Sequence, residues 1–203
     1  MTTSPSKEAG SRFDSDRRYN SVAIVLHWTI ALLILVQMGL GWYMNEWLPD
    51  HSAAQAAIET LHVSLGLTTF LLILVRIGVR LSHPAPPLPA GLHGWERVLA
   101  GGSHWLFYGL MLALPLTGWA MVSIGHRPIG FWGLQWPHLP RFSGMGKAEG
   151  HVLRETLQNF HTYVLIWLVL GNLALHVAGA LKHQFDGHPV LWRMLPLLKR
   201  PGA

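Results

Sequence analysis

Cysteine is absent from the 203 residues of this chain, which excludes disulfide bonds, thiolate metal sites and iron–sulfur clusters. Charged residues are also scarce, at 12% of the chain against about 25% in soluble proteins, whereas hydrophobic residues make up 50%. The mean hydropathy is +0.30. This composition predicts an integral membrane protein with little room for a soluble domain. Since no internal sequence repeat is visible, we expect one membrane domain.

Basic residues outnumber acidic ones, which gives a formal net charge of +5. A surplus of this sign is compatible with a nucleic-acid partner or with a membrane surface. The basic residues cluster beside apolar stretches, which favours the lipid bilayer as the partner. We therefore expect no nucleic acid to bind this protein.

Four apolar stretches are long enough to cross a bilayer as helices. Their predicted bounds are 22–44, 60–81, 103–124 and 160–181. They predict an all-α fold, an integral membrane four-helix bundle that occupies residues 19–185. Residues 1–18 are polar without the apolar core of a signal peptide, so we expect a polar tail there and a basic tail at 186–203. The connectors are then 45–59, a proline-rich linker at 82–102, and a long segment at 125–159 that is rich in Trp, Pro and Gly.

The distribution of Lys and Arg predicts the orientation of the bundle, because positive residues accumulate on the cytoplasmic side. Four spans place both tails and the 82–102 linker on one side, with eleven basic residues: Lys7, Arg12, Arg17, Arg18, Arg76, Arg80, Arg97, Lys182, Arg193, Lys199 and Arg200. The other side has four: Arg127, Arg141, Lys147 and Arg154. We expect both termini to lie in the cytoplasm.

Five histidines lie within the predicted spans, where polar side chains are costly and usually functional, and all but His104 sort into pairs by depth. Because odd spans run outward and even spans run inward, His27 and His176 lie near the cytoplasmic face, and His62 and His161 near the outer face. Each level thus holds two histidines from different helices. Two opposed imidazoles at one height in a bundle core suit axial ligation of a haem. The alternative for each single histidine is a hydrogen-bonded core or interface residue.

Three of the spans repeat a fourteen-residue spacing, which returns to within about 40° of the same helix face. His27 is followed by Gly41, His62 by Arg76, and His104 by Gly118. A glycine at such a position allows a macrocycle to approach the backbone, although glycine also serves helix packing. Arg76 lies at the cytoplasmic level, where it could pair with haem propionates.

Three histidines fit this scheme less simply. His161 and His176 are fifteen residues apart, which leaves them about 22 Å apart along the axis and about 60° apart around it. His104 lies at the cytoplasmic level and could replace His27 or His176 as a ligand. We prefer a role for His104 in hydrogen bonding beside the ligands, or at the membrane interface.

These motifs resemble those of the bacterial cytochrome b561 family, which is related to the cytochrome b subunits of nickel–iron hydrogenases. The similar segments cover roughly 17–185 and centre on Arg18–Trp28, Leu61–Gly66, Val75-Arg76, His104–Tyr108, Leu114–Gly118, Phe160-His161 and Leu175-His176.

The resemblance implies a four-helix bundle in the bacterial inner membrane with two non-covalent b-type haems. The haem ligands would be the pairs His27/His176 and His62/His161. The resemblance also leads us to expect a spacing of fourteen residues between His161 and His176, where this chain has fifteen. The implied function is electron transfer between a periplasmic donor and the quinone pool. The resemblance to short members of the family implies superoxide as the donor, which would make the protein a superoxide oxidase or quinone reductase.

Two other functions stay open from the sequence. The chain could be the haem-carrying membrane anchor of a larger dehydrogenase or hydrogenase, with the donor in a partner subunit. A histidine-based metal transporter is a weaker alternative, because the spans lack carboxylates and four helices make a poor frame for alternating access. The four basic residues of the outer connector could attract an anionic donor or contact lipid head groups.

Overall fold

Four helices, each long and apolar enough to cross a membrane, make up most of the part of the chain that the structure describes. The computed structural model describes residues 18–88, 91–142, 145–187, 190–195 and 197–198. The helices are α1 (Ser21–Glu46), α2 (Ala53–Ser82), α3 (Gly94–Ile124) and α4 (Lys147–Phe185). The predicted all-α membrane fold is thereby confirmed. Residues 1–17 and 199–203 of the expected tails, with Lys7, Arg12, Arg17, Lys199 and Arg200, lie outside the described residues.

Each helix is longer than the apolar stretch that predicted it, because polar residues cap and extend the ends. The Asn20 side chain accepts a hydrogen bond from the backbone N–H of Ala23 at the start of α1. The Ser52 side chain accepts a hydrogen bond from the backbone N–H of Gln55 at the start of α2, so this helix begins at Ala53 and not at residue 60. Glu96 accepts a hydrogen bond from the backbone N–H of His93 at the start of α3. The helices therefore extend beyond the predicted spans, which followed hydrophobicity alone.

The long connector between α3 and α4 is also more ordered than its composition predicted. It contains a short antiparallel hairpin of β1 (Ile129–Phe131) and β2 (Leu134–Trp136), in which Ile129 pairs with Trp136. The turn residues Trp132 and Gly133 both have positive φ, as a two-residue hairpin turn requires. The last part of the expected connector is helical, because α4 begins at Lys147.

Apolar side chains fill the centre of the bundle in two clusters. One cluster joins α1, α2 and α3 through Leu26, Ile30, Ile73 and Met111. The other joins α3 to α4 through Leu110, Leu165 and Val169. Many large apolar side chains instead point outward, as expected for a surface that lipid covers.

Polar contacts join α3 to α4 inside the bundle. The buried Ser103 hydroxyl donates to Asn172 Oδ1 at 2.9 Å, and Asn172 Nδ2 donates to the Ser103 carbonyl oxygen at 3.0 Å. Nearer the end of α4, Lys182 Nζ donates to Glu96 Oε1 at 2.6 Å. Asn172 lies one turn before His176, so these contacts fix the two helices at the level of that histidine.

Candidate functional site

Four of the five histidines of the spans come together as two pairs, each formed by two helices. His27 of α1 and His176 of α4 have ring centroids 6.4 Å apart and ring planes at 58°. We call this the terminal-side pair, because it lies near the start of α1 and the end of α4. His62 of α2 and His161 of α4 have centroids 6.4 Å apart and planes at 72°. We call this the hairpin-side pair.

The separation within each pair fits a metal ion between the rings. Imidazole nitrogens that bind a metal lie about 2 Å from it, which places two opposed ring centroids roughly 6 Å apart. Both pairs have this separation, with centroids 6.4 Å apart. Within the described parts of the chain, no group of three or more histidines and carboxylates is arranged to hold a metal ion.

His104 is placed beside the terminal-side pair and does not oppose either of its members across a gap. Its ring centroid is 5.2 Å from that of His176, with the planes at 85°, which is an edge-to-face contact. Its Nδ1 donates to the Ala100 carbonyl oxygen at 2.6 Å. This contact is too close for a metal ion between the two rings, so His27 is the better partner for His176.

The fourth helix contains a π-helical turn at Phe160–Leu165, between α-helical segments at Lys147–Asn159 and Ile166–Phe185. A π turn bonds residue i to i+5 and so holds one residue more than an α turn. The fifteen residues from His161 to His176 therefore turn the helix about as far as fourteen would. The offset of about 60° expected from the sequence assumed a uniform α-helix and omits this turn.

The two predicted glycines lie against the hairpin-side pair. A Cβ atom built on Gly41 would be 3.6 Å from His62 Cε1, and one built on Gly118 would be 3.7 Å from His161 Cε1. Each ring thus has one edge facing helix backbone. Side chains larger than alanine at either position would extend over that edge, where a planar group bound between the rings would have to fit.

Arg76 of α2 lies at the terminal-side pair. Its Nη2 atom is 3.4 Å from His27 Nδ1, and its Nη1 atom is buried without a hydrogen-bond partner among the described residues. A buried cationic nitrogen is costly unless a partner compensates it. This position suits an anionic group next to His27, such as a haem propionate.

Two side chains that contact the hairpin-side pair were not assigned a role from the sequence. Thr117 Oγ1 lies 2.8 Å from Nδ1 of His161. Gln37 Nε2 donates to the His62 carbonyl oxygen at 2.8 Å and would lie 2.9 Å from a Cβ on Gly66. The available signal was a polar residue within an apolar span, which predicts an interior contact but not its partner.

The basic charge expected on the hairpin side is smaller than the connector alone suggested. Arg127 forms an ion pair with Glu59 of α2, with Nη2 and Oε1 3.0 Å apart. The expectation considered only the charged residues of the 125–159 connector and left out the acids that precede α2 or lie in its first turns. Arg141 and Lys147 make no ion pair with any residue that the structure describes.

Comparison with known proteins identifies the family. The sequence pattern of the prokaryotic cytochrome b561 family matches residues 18–197, nearly the whole chain. The chain belongs to the prokaryotic cytochrome b561 family. It is therefore a membrane b-type cytochrome, a class of haem protein that acts in electron transport.

Three relatives of this cytochrome b561 match it over most of their length. "Probable superoxide oxidase CybB" of Yersinia pestis is 28% identical over 187 residues, covering 89% of this chain and 97% of the relative. "Cytochrome b561 homolog 2" of Escherichia coli strain K12 is 27% identical over 184 residues, covering 90% and 93%. "Cytochrome b561 homolog 1" of the same strain is 27% identical over 187 residues, covering 90% and 99%.

The residues of this cytochrome b561 fit the haem that its family implies. Neutral imidazoles are common axial ligands of haem iron, and both histidine pairs have a suitable separation. Glycine borders the hairpin-side pair, and a buried guanidinium nitrogen lies at the terminal-side pair. These features can accommodate a planar group with anionic substituents.

Proposed function

We propose that this cytochrome holds two haems, one between His27 and His176 and one between His62 and His161, and transfers electrons between the two membrane faces within a single chain. The supporting observation is that both pairs have the same centroid separation, 6.4 Å, and each joins α4 to a different helix. A bound b-type haem supplies one-electron redox chemistry. With a histidine on each side of it, electron transfer is favoured over binding of oxygen.

The two levels lie far enough apart to connect the faces of a bilayer. Gly41 contacts the hairpin-side pair and lies fourteen residues after His27, which is about 21 Å along the axis of α1. The apolar core of a bilayer is about 30 Å thick. With one haem site near each face, the distance between the edges of two bound haems would be shorter than the distance between the sites. Electrons would then need no carrier from another subunit.

The surplus of basic residues supports a cytoplasmic location for the terminal side and for both termini. The donor would then act at the hairpin side, which faces the periplasm of a bacterial inner membrane. We propose superoxide as the donor and quinone as the acceptor. Support comes from the name of the Yersinia pestis relative and from Arg141 and Lys147, whose charges attract a small anion.

The proposed reaction balances over two turnovers of the donor. Oxidation of two superoxide anions to dioxygen releases two electrons, and these electrons with two protons reduce one quinone to quinol. Stopped-flow spectroscopy tests the donor: superoxide should reduce the purified cytochrome rapidly, and the rate should fall with added salt and in the double variant R141Q/K147Q. An unchanged rate in that variant would remove the charge argument, and a lack of reduction would remove superoxide.

Replacement of the histidines tests the two sites independently of the donor. His62→Ala and His161→Ala should each remove the same haem, and His27→Ala and His176→Ala should each remove the other. His104→Ala is the matched control and should keep both, because its ring contacts His176 edge to face. The assay is the haem-to-protein ratio with the absorption spectrum of the reduced protein. Loss of a haem in the His104 variant would contradict this assignment.

A further inference from the structure

Thr117 of α3 contacts His161 through a hydrogen bond that determines which ring nitrogen carries the proton. Its hydroxyl has one hydrogen, and two backbone carbonyl oxygens lie within reach of it, Ala113 at 2.8 Å and Leu114 at 2.9 Å. With that hydrogen donated to the backbone, the oxygen accepts from His161 Nδ1 at 2.8 Å. His161 therefore carries its proton on Nδ1 and has a lone pair on Nε2.

The residue after Thr117 lies against the same ring. Gly118 faces His161 Cε1, the ring atom between the two nitrogens, at 3.7 Å from the position of a Cβ. Two consecutive residues of α3 thus lie at two neighbouring atoms of the ring. Nε2 is then the ring nitrogen that remains for a ligand.

The other paired histidines have different surroundings at Nδ1. His62 Nδ1 is buried without a hydrogen-bond partner among the described residues, and the group beside His27 Nδ1 is Arg76 Nη2 at 3.4 Å, which is not an acceptor. Within the part of the chain that the structure describes, Thr117 is the one hydroxyl that contacts a paired histidine. The two members of the hairpin-side pair are therefore unequal.

We propose that Thr117 is a positioning residue that sets the tautomer and ring orientation of His161 and thereby lowers the reduction potential of the haem at the hairpin-side pair. This inference rests on the proposed ligation by His62 and His161. An acceptor at the second nitrogen of a ligating imidazole raises its basicity, and loss of such a partner changes metal affinity by 10- to 100-fold. A more basic ligand stabilises oxidised iron over reduced iron.

The test is a redox titration of the full-length cytochrome carrying Thr117→Val, which removes the hydroxyl and keeps the shape of the side chain. A tenfold weaker preference for the oxidised state should raise the potential of one haem by about 59 mV, the value for a one-electron couple. The potential of the other haem should stay unchanged. Thr117→Ser restores the hydroxyl and should return the potential towards that of the unmodified protein.

Thr69→Val is the matched control. Thr69 also lies in a span and its hydroxyl also donates to a backbone carbonyl oxygen four residues earlier, at 2.8 Å, but it makes no hydrogen bond to a histidine that the structure describes. This variant should leave both potentials unchanged. The electron paramagnetic resonance signal of the oxidised protein provides a second readout, because it depends on the angle between the imidazole planes. Only Thr117→Val should alter it.

The outcomes separate this inference from the proposed function. Two haems with unchanged potentials in Thr117→Val would overturn the role of Thr117 and leave the ligand assignment standing. Equal shifts in Thr117→Val and Thr69→Val would also overturn it, because they would reflect a general effect of losing a hydroxyl. Retention of both haems after His161→Ala would overturn the ligand assignment itself.

Discussion

The π turn of α4 predicts an asymmetric response to changes in the length of this helix. Removing Tyr163, which lies in the turn with 63% of its surface exposed, should convert the π turn to an α turn. His161 and His176 would then be fourteen residues apart on a uniform helix. We expect the variant to fold and to keep both haems. Inserting one alanine after Tyr163 should instead remove the haem at the hairpin-side pair.

The size of the effect follows from helix geometry. Each added residue turns an α-helix by about 100°, and side chains reach about 5 to 6 Å from its axis, so an uncompensated residue moves a ring by roughly 8 Å. That displacement exceeds the 6.4 Å between the centroids of His62 and His161. The inserted residue therefore separates the pair unless a second π turn forms. A second π turn would lower the stability of the helix and leave the positions of the ligands unchanged.

The assay is the haem-to-protein ratio of the purified variants, with thermal stability as a control for folding. The deletion should retain two haems per chain, and the insertion should retain only the one at the terminal-side pair. Equal loss of haem from both variants would refute the claim that the π turn absorbs one residue. Equal retention would show that the register of His161 does not matter for haem binding.

Three further variants test other parts of the site. Gly118→Ala should keep the hairpin-side haem and Gly118→Leu should lose it, because a Cβ at this position fits 3.7 Å from His161 but a larger group does not. The measurement is the haem content. Gly109→Leu is the control, because nothing lies within 4 Å of a Cβ at that position. Arg76→Leu should lower the potential of the terminal-side haem in a redox titration, because a nearby cation favours the reduced state, and an unchanged potential would contradict the contact with His27. Asn172→Ala should lower the free energy of unfolding by about 1 kcal/mol, because it removes two hydrogen bonds to Ser103 and each such bond between membrane helices averages somewhat less than this value. An unchanged denaturation midpoint in detergent would show that these bonds add no stability.

The four helices could be predicted because apolar composition over 20 residues is a strong signal. The grouping of the histidines also followed from simple reasoning, since alternating span direction places His27 beside His176 and His62 beside His161. Glycine and arginine at fourteen-residue offsets indicated the neighbours of these rings. In each case a regular helix converts spacing in the sequence into position in the fold.

The features that escaped prediction depend on departures from regularity or on distant contacts. No residue type marks the π turn at Phe160–Leu165, so a uniform helix was the default. The hairpin lies in a segment whose Trp, Pro and Gly content suggested only a membrane interface. Arg127 pairs with Glu59, which is 68 residues away, and such a partner cannot be found from local charge.

The ratio of haem to polypeptide in the purified protein tests the central claim most directly. The chain should bind two b-type haems when it is isolated from haem-replete cells, as measured by haem extraction together with quantitative amino-acid analysis. A ratio of two with a b-type spectrum agrees with one haem at each histidine pair. A ratio of one would contradict the account, because a single haem could not connect the two faces of the membrane within one chain.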